Sequence, residues 1–146
     1  MNDRDAIDAL VTTVYAAFRN KGGVAPPVDS LRGLFFADAR IVKAAGAVPE
    51  IYTVDAFIES RRVLLTDGSV VDFDEWEIDS RMSLFGHVAS RWSLYRKVGM
   101  KHGVAFDQRG LKSLQFAKDS DGWRIVSLVW DDERPGLALG DRLPAE

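Results

Sequence analysis

The hydrophobic period of this chain changes once, near residue 70, and that change restricts the fold more than any other feature. Before it, apolar residues recur at helical spacing. Ile7, Leu10, Val11, Val14, Tyr15 and Phe18 fall on one face of residues 4–19. After it, residues 70–84, 87–97, 110–118 and 123–132 alternate one by one, as strands do. Helices gathered at one end and strands at the other predict an α+β fold with an antiparallel meander rather than a parallel βαβ fold.

Local signals place the boundaries. Asp3 is expected to cap the first helix, with Asp5 at the positive end of its dipole and Lys21-Gly22-Gly23 ending it. Pro26-Pro27 marks a loop, and residues 29–35 read as a short helix with Leu31, Leu34 and Phe35 inward. Ile41 and Val42 centre a short strand over 39–44. Residues 46–52 read as a loop containing Pro49. Thr53 caps a third helix over 54–65, with Val54, Phe57, Ile58, Leu64 and Leu65 on one side. In the first long strand Trp76, Ile78, Ser80 and Met82 oppose Phe73, Glu75, Glu77 and Asp79. In the second, Val88, Ser90, Trp92 and Leu94 oppose Ala89, Arg91, Ser93 and Tyr95. The glycines at 99 and 103 predict a loop over 99–108, and Asp119-Ser120-Asp121-Gly122 a hairpin turn. The expectation is one domain over 1–133 and a loose tail over 134–146. The strands have no clean polar face. One sheet face is therefore expected under the helices, and the other against a second subunit.

Composition narrows the function classes. At 146 residues, 47% hydrophobic and 28% charged, the chain suits one globular domain. A net charge of −3 argues against nucleic acid as a partner. Cysteine is absent, which excludes disulfides, thiolate metal sites and a cysteine nucleophile. With His87 and His102 the only histidines, no metal site or cofactor is expected. The acidic start does not fit a secretory signal, and no apolar run approaches the ~20 residues of a membrane helix. A cytoplasmic protein without membrane contact is the expectation.

Four stretches, taken in order, resemble the nuclear transport factor 2-like superfamily and its SnoaL-like small proteins. They are the opening amphipathic helix, residues 34–41 (Leu-Phe-Phe-Ala-Asp-Ala-Arg-Ile), Phe85-Gly86-His87-Val88-Ala89 with the strand after it, and Gly122-Trp123-Arg124-Ile125 running to Trp130-Asp131-Asp132-Glu133. The resemblance spans residues 4–133. It implies a cone: three helices in the concave side of a curved antiparallel sheet, with a pocket between them and often a homodimer through the sheet. It also implies a test of catalysis. Isomerase-like members use a first-helix tyrosine, matched by Tyr15, together with two carboxylates. Here Ala44 and Leu114 stand at the carboxylate places, so that proton-transfer chemistry is not expected. The acid–arginine–acid set of the epoxide hydrolases is not evident in the sequence either.

The catalytic candidates are therefore Tyr15, His87 and Asp132. Tyr15 is either a core tyrosine tied to a neighbour or a pocket hydroxyl. His87 is either an exposed strand-end residue or an acid/base that titrates near neutral pH. His102 sits in the expected loop and is a weaker candidate. Asp131-Asp132-Glu133 is either a solvated strand end paired with arginines or a pocket acid, with Leu128, Trp130 and Asp132 on one face. Glu75 and Glu77 share a strand face and are either a pair of acids acting together or solvated or interface salt bridges, and Arg91 and Arg40 are read as their partners or as anchors for an anion. A ligand pocket is expected to use Tyr15, Phe18, Phe57, Trp92, Leu114, Phe116, Leu128 and Trp130. Three functions follow: a protein that binds a small apolar or amphipathic molecule, a cyclase-, dehydratase- or hydrolase-type enzyme, and a homodimeric association module without ligand.

Overall fold

The computed structural model describes residues 1–140, 143 and 144. Its helices are α1 (Asp3–Ala16) and α2 (Val54–Thr66), with a 3₁₀ segment over Val28–Leu34 between them. Its strands are β1 (Phe35–Lys43), β2 (Glu50–Thr53), β3 (Val70–Phe85), β4 (Val88–Lys101), β5 (Val104–Asp119) and β6 (Gly122–Asp132). The six form one unclosed sheet in the order β2-β1-β6-β5-β4-β3.

The helices follow their apolar faces. Ile7, Leu10, Val11, Val14 and Tyr15 of α1 are buried, as are Val54, Phe57, Ile58 and Leu65 of α2. Each such side chain contributes about 1.5–3 kcal/mol through burial. Thr53 caps α2 as expected, but the cap of α1 is Asn2, whose Oδ1 accepts from the Asp5 amide at 2.8 Å. The expected short helix at 29–35 is the 3₁₀ segment, and Phe35 already opens β1.

The sheet departs from the sequence reading in four ways. First, it is mixed: β1 lies parallel to β6, with Ile41 opposite Leu128 and Lys43 opposite Trp130. Pairing between the first and last strands joins segments far apart in the chain, which no local pattern reports. Second, residues 50–53, expected in a loop, form the edge strand β2 against β1. Third, the expected loop at 99–108 is instead a tight hairpin. His102 and Gly103 take φ +50° and +79° as the two turn residues, and both strands run on to them. Gly99 is no turn: a Cβ there would press on the Phe106 ring at 3.0 Å. Fourth, the phase of β3 reverses partway along. Its pairing with β4 jumps between Glu77 and Asp79, leaving Ile78 as a bulge. Phe73, Glu75 and Glu77 face the helices before it, and Met82 and Leu84 pack on the core after it. Strict alternation put Met82 on the other face.

One asparagine holds the helical layer to the sheet. Asn20, after α1, is buried, and its Nδ2 donates to the carbonyls of Leu65 at 2.9 Å and Val70 at 2.8 Å. Its Oδ1 accepts from the Phe73 amide at 2.7 Å. Asn20 thus joins the exit of α1, the end of α2 and the start of β3, where Asp72 kinks the strand at φ +51°. Residues 143 and 144 also return to the sheet: Leu143 is buried, and the Pro144 carbonyl accepts from Arg81. Residues 141, 142, 145 and 146 of the expected tail lie outside the described residues.

Asn20→Ala orphans an amide and two carbonyls, each buried unsatisfied group costing about 1–3 kcal/mol. We expect chemical denaturation of this variant to show a loss above about 2 kcal/mol. An unchanged midpoint would show that water replaces the side chain.

Candidate functional site

The inward phase of the sheet decides what the helices cover. In β3 it carries Phe73 and Glu75, in β4 Tyr95 and Lys97, in β5 Phe106, Gln108, Gly110 and Lys112, and in β6 Leu128, Trp130 and Asp132. A cavity of about 340 Å³ lies between α2 and these residues, toward the end where β4 turns into β5.

Its apolar wall is aromatic. Phe57 of α2 makes edge-to-face contacts with Phe18 at 6.0 Å, Tyr52 at 5.6 Å and Trp130 at 5.8 Å between ring centres. Leu64 and Leu128 complete that side. The guanidinium of Arg61, one turn along α2, stands over the rings of Phe57 at 4.7 Å and Trp130 at 5.5 Å.

Its polar wall comes from the strands. The Lys112 ammonium meets the Glu75 carboxylate at 2.9 Å, with only 6% and 7% of the two side chains exposed. Lys112 also lies between two tyrosine rings, 4.0 Å from the centre of Tyr95 and 4.5 Å from that of Tyr15. Burial pushes the lysine toward its neutral form, and the Glu75 charge opposes that. Beside this pair, the Tyr95 hydroxyl donates to the Asp132 carboxylate, and Lys97 approaches the same carboxylate at 3.0 Å. Burial first and the Asp132 charge second push the Tyr95 hydroxyl up, so it stays a donor. Gly110 makes room for it: a Cβ there would overlap the Tyr95 hydroxyl and the Asp131 carbonyl.

A second buried chain runs alongside under α1. Tyr15 shares a 2.6 Å hydrogen bond with Ser93, whose hydroxyl donates to Glu77 at 2.5 Å. Arg91 donates to Glu77 at 2.5 Å and to Asp8 at 2.6 Å. An acid–arginine–acid set, not evident in the sequence, therefore exists as Asp8, Arg91 and Glu77. It joins α1 to the sheet and does not line the cavity.

The sequence-nominated residues divide accordingly. Phe18, Phe57, Leu128, Trp130 and Asp132 line the cavity. Tyr15, Leu114 and Phe116 are buried in the core beside it. Trp92 lies on the opposite strand face from Arg91 and Ser93. His87 sits at the exposed turn joining β3 to β4, on the order of 30 Å along the strand from Lys97. Tyr15, His87 and Asp132 thus do not converge on one point. The acidic run at the end of β6 is paired as one reading held: Asp131 with Arg134 at 2.6 Å and Glu133 with Arg109 at 2.7 Å. Arg91 has its acid partners, whereas Arg40 is exposed and donates to backbone carbonyls.

Sequence reasoning missed Arg61, Tyr95, Lys97 and Lys112. One signal was available: Lys112 shares the phase of Leu114 and Phe116, and Glu75 that of Phe73, so each is a charge on an otherwise apolar strand face. A wider open groove of about 640 Å³ runs past Arg96, Asp107, Arg109 and Glu133. Its charges already neutralise one another, Arg96 meeting Asp107 at 2.5 Å. Among the described residues no group of three or more acidic or histidine side chains is placed to hold a metal ion, and no helix is long and apolar enough to cross a membrane.

Breaking the buried pair should cost far more than replacing it. Lys112→Met or Glu75→Leu alone strands a charge, which costs about 3–5 kcal/mol. The double variant should lose much less than the sum, as a denaturation cycle would show. Additive losses would mean that water or another residue already neutralises each charge.

No protein-family model and no curated protein matches the sequence. Solved structures do match it. A nuclear transport factor 2-like superfamily protein from Salmonella enterica superposes with a TM-score of 0.74 at 12% identity, over 96% of each chain. An uncharacterised protein with a cystatin-like fold from Caulobacter vibrioides gives 0.71 at 14% identity, over 95% of each chain. A nuclear transport factor 2-like protein from Cytophaga hutchinsonii gives 0.70 at 16% identity, over 91% of this chain and 100% of its own. At such identities the likeness is one of architecture. The chain therefore has the cystatin-like α+β fold of the nuclear transport factor 2-like proteins.

Proposed function

We propose that this protein binds a small apolar or amphipathic molecule in the cavity between α2 and the sheet. One observation carries the reading: about 340 Å³ of space remains inside the fold, walled by Phe18, Phe57, Leu128 and Trp130 on one side and by fixed polar groups on the other. An apolar cavity with a few oriented polar groups is the common form of a small-molecule site. Native mass spectrometry of freshly purified protein, beside a denaturing run, tests it. Added mass should appear only in the native spectrum, and Leu64→Trp, which fills the cavity from α2, should abolish it. Equal occupancy in that variant would place the ligand elsewhere.

A second reading, an acid–base enzyme, is favoured by the placement of Asp132. It reaches the cavity with Tyr95 and Lys97 both bound to its carboxylate. General acid–base catalysis contributes roughly 10²–10⁴-fold. If the bound molecule is turned over, Asp132→Asn should slow that turnover by at least ~100-fold. An unaffected rate would leave binding as the function.

The outer sheet face, with Trp76 and Val129 partly exposed, is where a second copy would pack. Light scattering behind size-exclusion chromatography should then give twice the chain mass, and a monomer at all concentrations would remove the dimer.

A further inference from the structure

We propose that the ligand of this cavity carries one anionic group, a carboxylate or its equivalent, held by Arg61 and Lys43 beside Trp130. The inference rests on the ligand reading above and adds the chemical class. The cavity is lined by five cations, Lys43, Arg61, Lys97, Lys101 and Lys112, but by only two carboxylates, Glu75 and Asp132. Both carboxylates are taken, Glu75 by Lys112 at 2.9 Å and Asp132 by Lys97 at 3.0 Å. Lys43, Arg61 and Lys101 form no ion pair among the described residues. The chain as a whole is acidic, at −3, so this local excess of positive charge runs against its composition.

Two of these cations border Trp130. Lys43 is opposite Trp130 in the β1–β6 register, and Arg61 stands over the Trp130 ring at 5.5 Å. The guanidinium stands over Phe57 and Trp130 and bonds the Tyr52 hydroxyl, and with five N–H donors in its fork it has further ones to offer a partner. Glu50 acts on Arg61 at longer range, but its carboxylate accepts from the Tyr52 hydroxyl at 2.8 Å. A half-buried guanidinium without a carboxylate is costly, and a planar anion offsets that cost. The body of the same ligand would lie on Phe18, Phe57 and Leu128.

Calorimetric titration of the full chain with 2-naphthylacetate and with its neutral amide tests the charge. The acid should bind at least about tenfold tighter, the lower bound for a charge-assisted hydrogen bond. Arg61→Gln and Lys43→Gln should each erase most of that preference, bringing the affinity of the acid down toward that of the amide in the same variant. Lys43, at the end of a strand, serves if the helix variant folds poorly. Equal binding of acid and amide would overturn the charge and leave the cavity reading standing. A preference that survives both substitutions would overturn the assignment to Arg61 and Lys43. No binding of either compound at millimolar concentration would remove the cavity reading and this inference together.

Discussion

The ion pair between Lys112 and Glu75 is the constraint around which the sheet and its cavity are arranged. The two residues sit on strands that do not touch, β5 and β3, with β4 between them. They meet at 2.9 Å across the inward face. A buried charge needs a partner in place, so both strands must present the same phase to the helices. A slip of one residue in either would carry its charge to the outer face and leave the other alone. The rings of Tyr15 and Tyr95 flank the ammonium, tying α1 and β4 to the same point. The cavity begins where this polar cluster ends.

Curvature follows from irregularities at a few positions. Bulges at Ile78 in β3 and near Val126 in β6 bend the sheet and reset which residues face inward. The kink at Asp72 lets β3 start under α2, where Asn20 holds it. Gly110 lets the Tyr95 hydroxyl reach Asp132 across β5. Together these features leave the helices resting on a sheet that is packed at the α1 end and open beneath α2.

The electrostatics of the cavity differ from those of the molecule. Acidic residues outnumber basic ones in the whole chain, yet basic ones outnumber acidic ones around the cavity. Surface pairs such as Arg96 with Asp107 are exposed and contribute little to stability. Lys101 is exposed, but the other four cavity cations are partly or wholly withdrawn from water, where the same charge interacts more strongly.

Periodicity alone determined that both helices precede the four long strands, that α1 and α2 bury the faces they do, and that β6 turns Leu128, Trp130 and Asp132 to one side. Those are local properties, set by 3.6-residue and 2-residue repeats within single segments. The resemblance of the opening helix, the 34–41 stretch, Phe85–Ala89 with its strand and the last strand supplied the cone. Only the tertiary structure decided the rest. The parallel pairing of β1 with β6 and the edge strand β2 arise between distant segments. The His102-Gly103 hairpin needs a histidine at positive φ, which its neighbours impose and its own preference does not suggest. The bulge at Ile78 reversed the expected face of Met82. The site shows the same division: five of its residues carried an apolar or acidic signal legible in sequence. Arg61 and Lys97 carry no such signal, and that of Lys112 lies only in its phase with Leu114 and Phe116, because burial is a property of what packs against a side chain and not of the side chain itself.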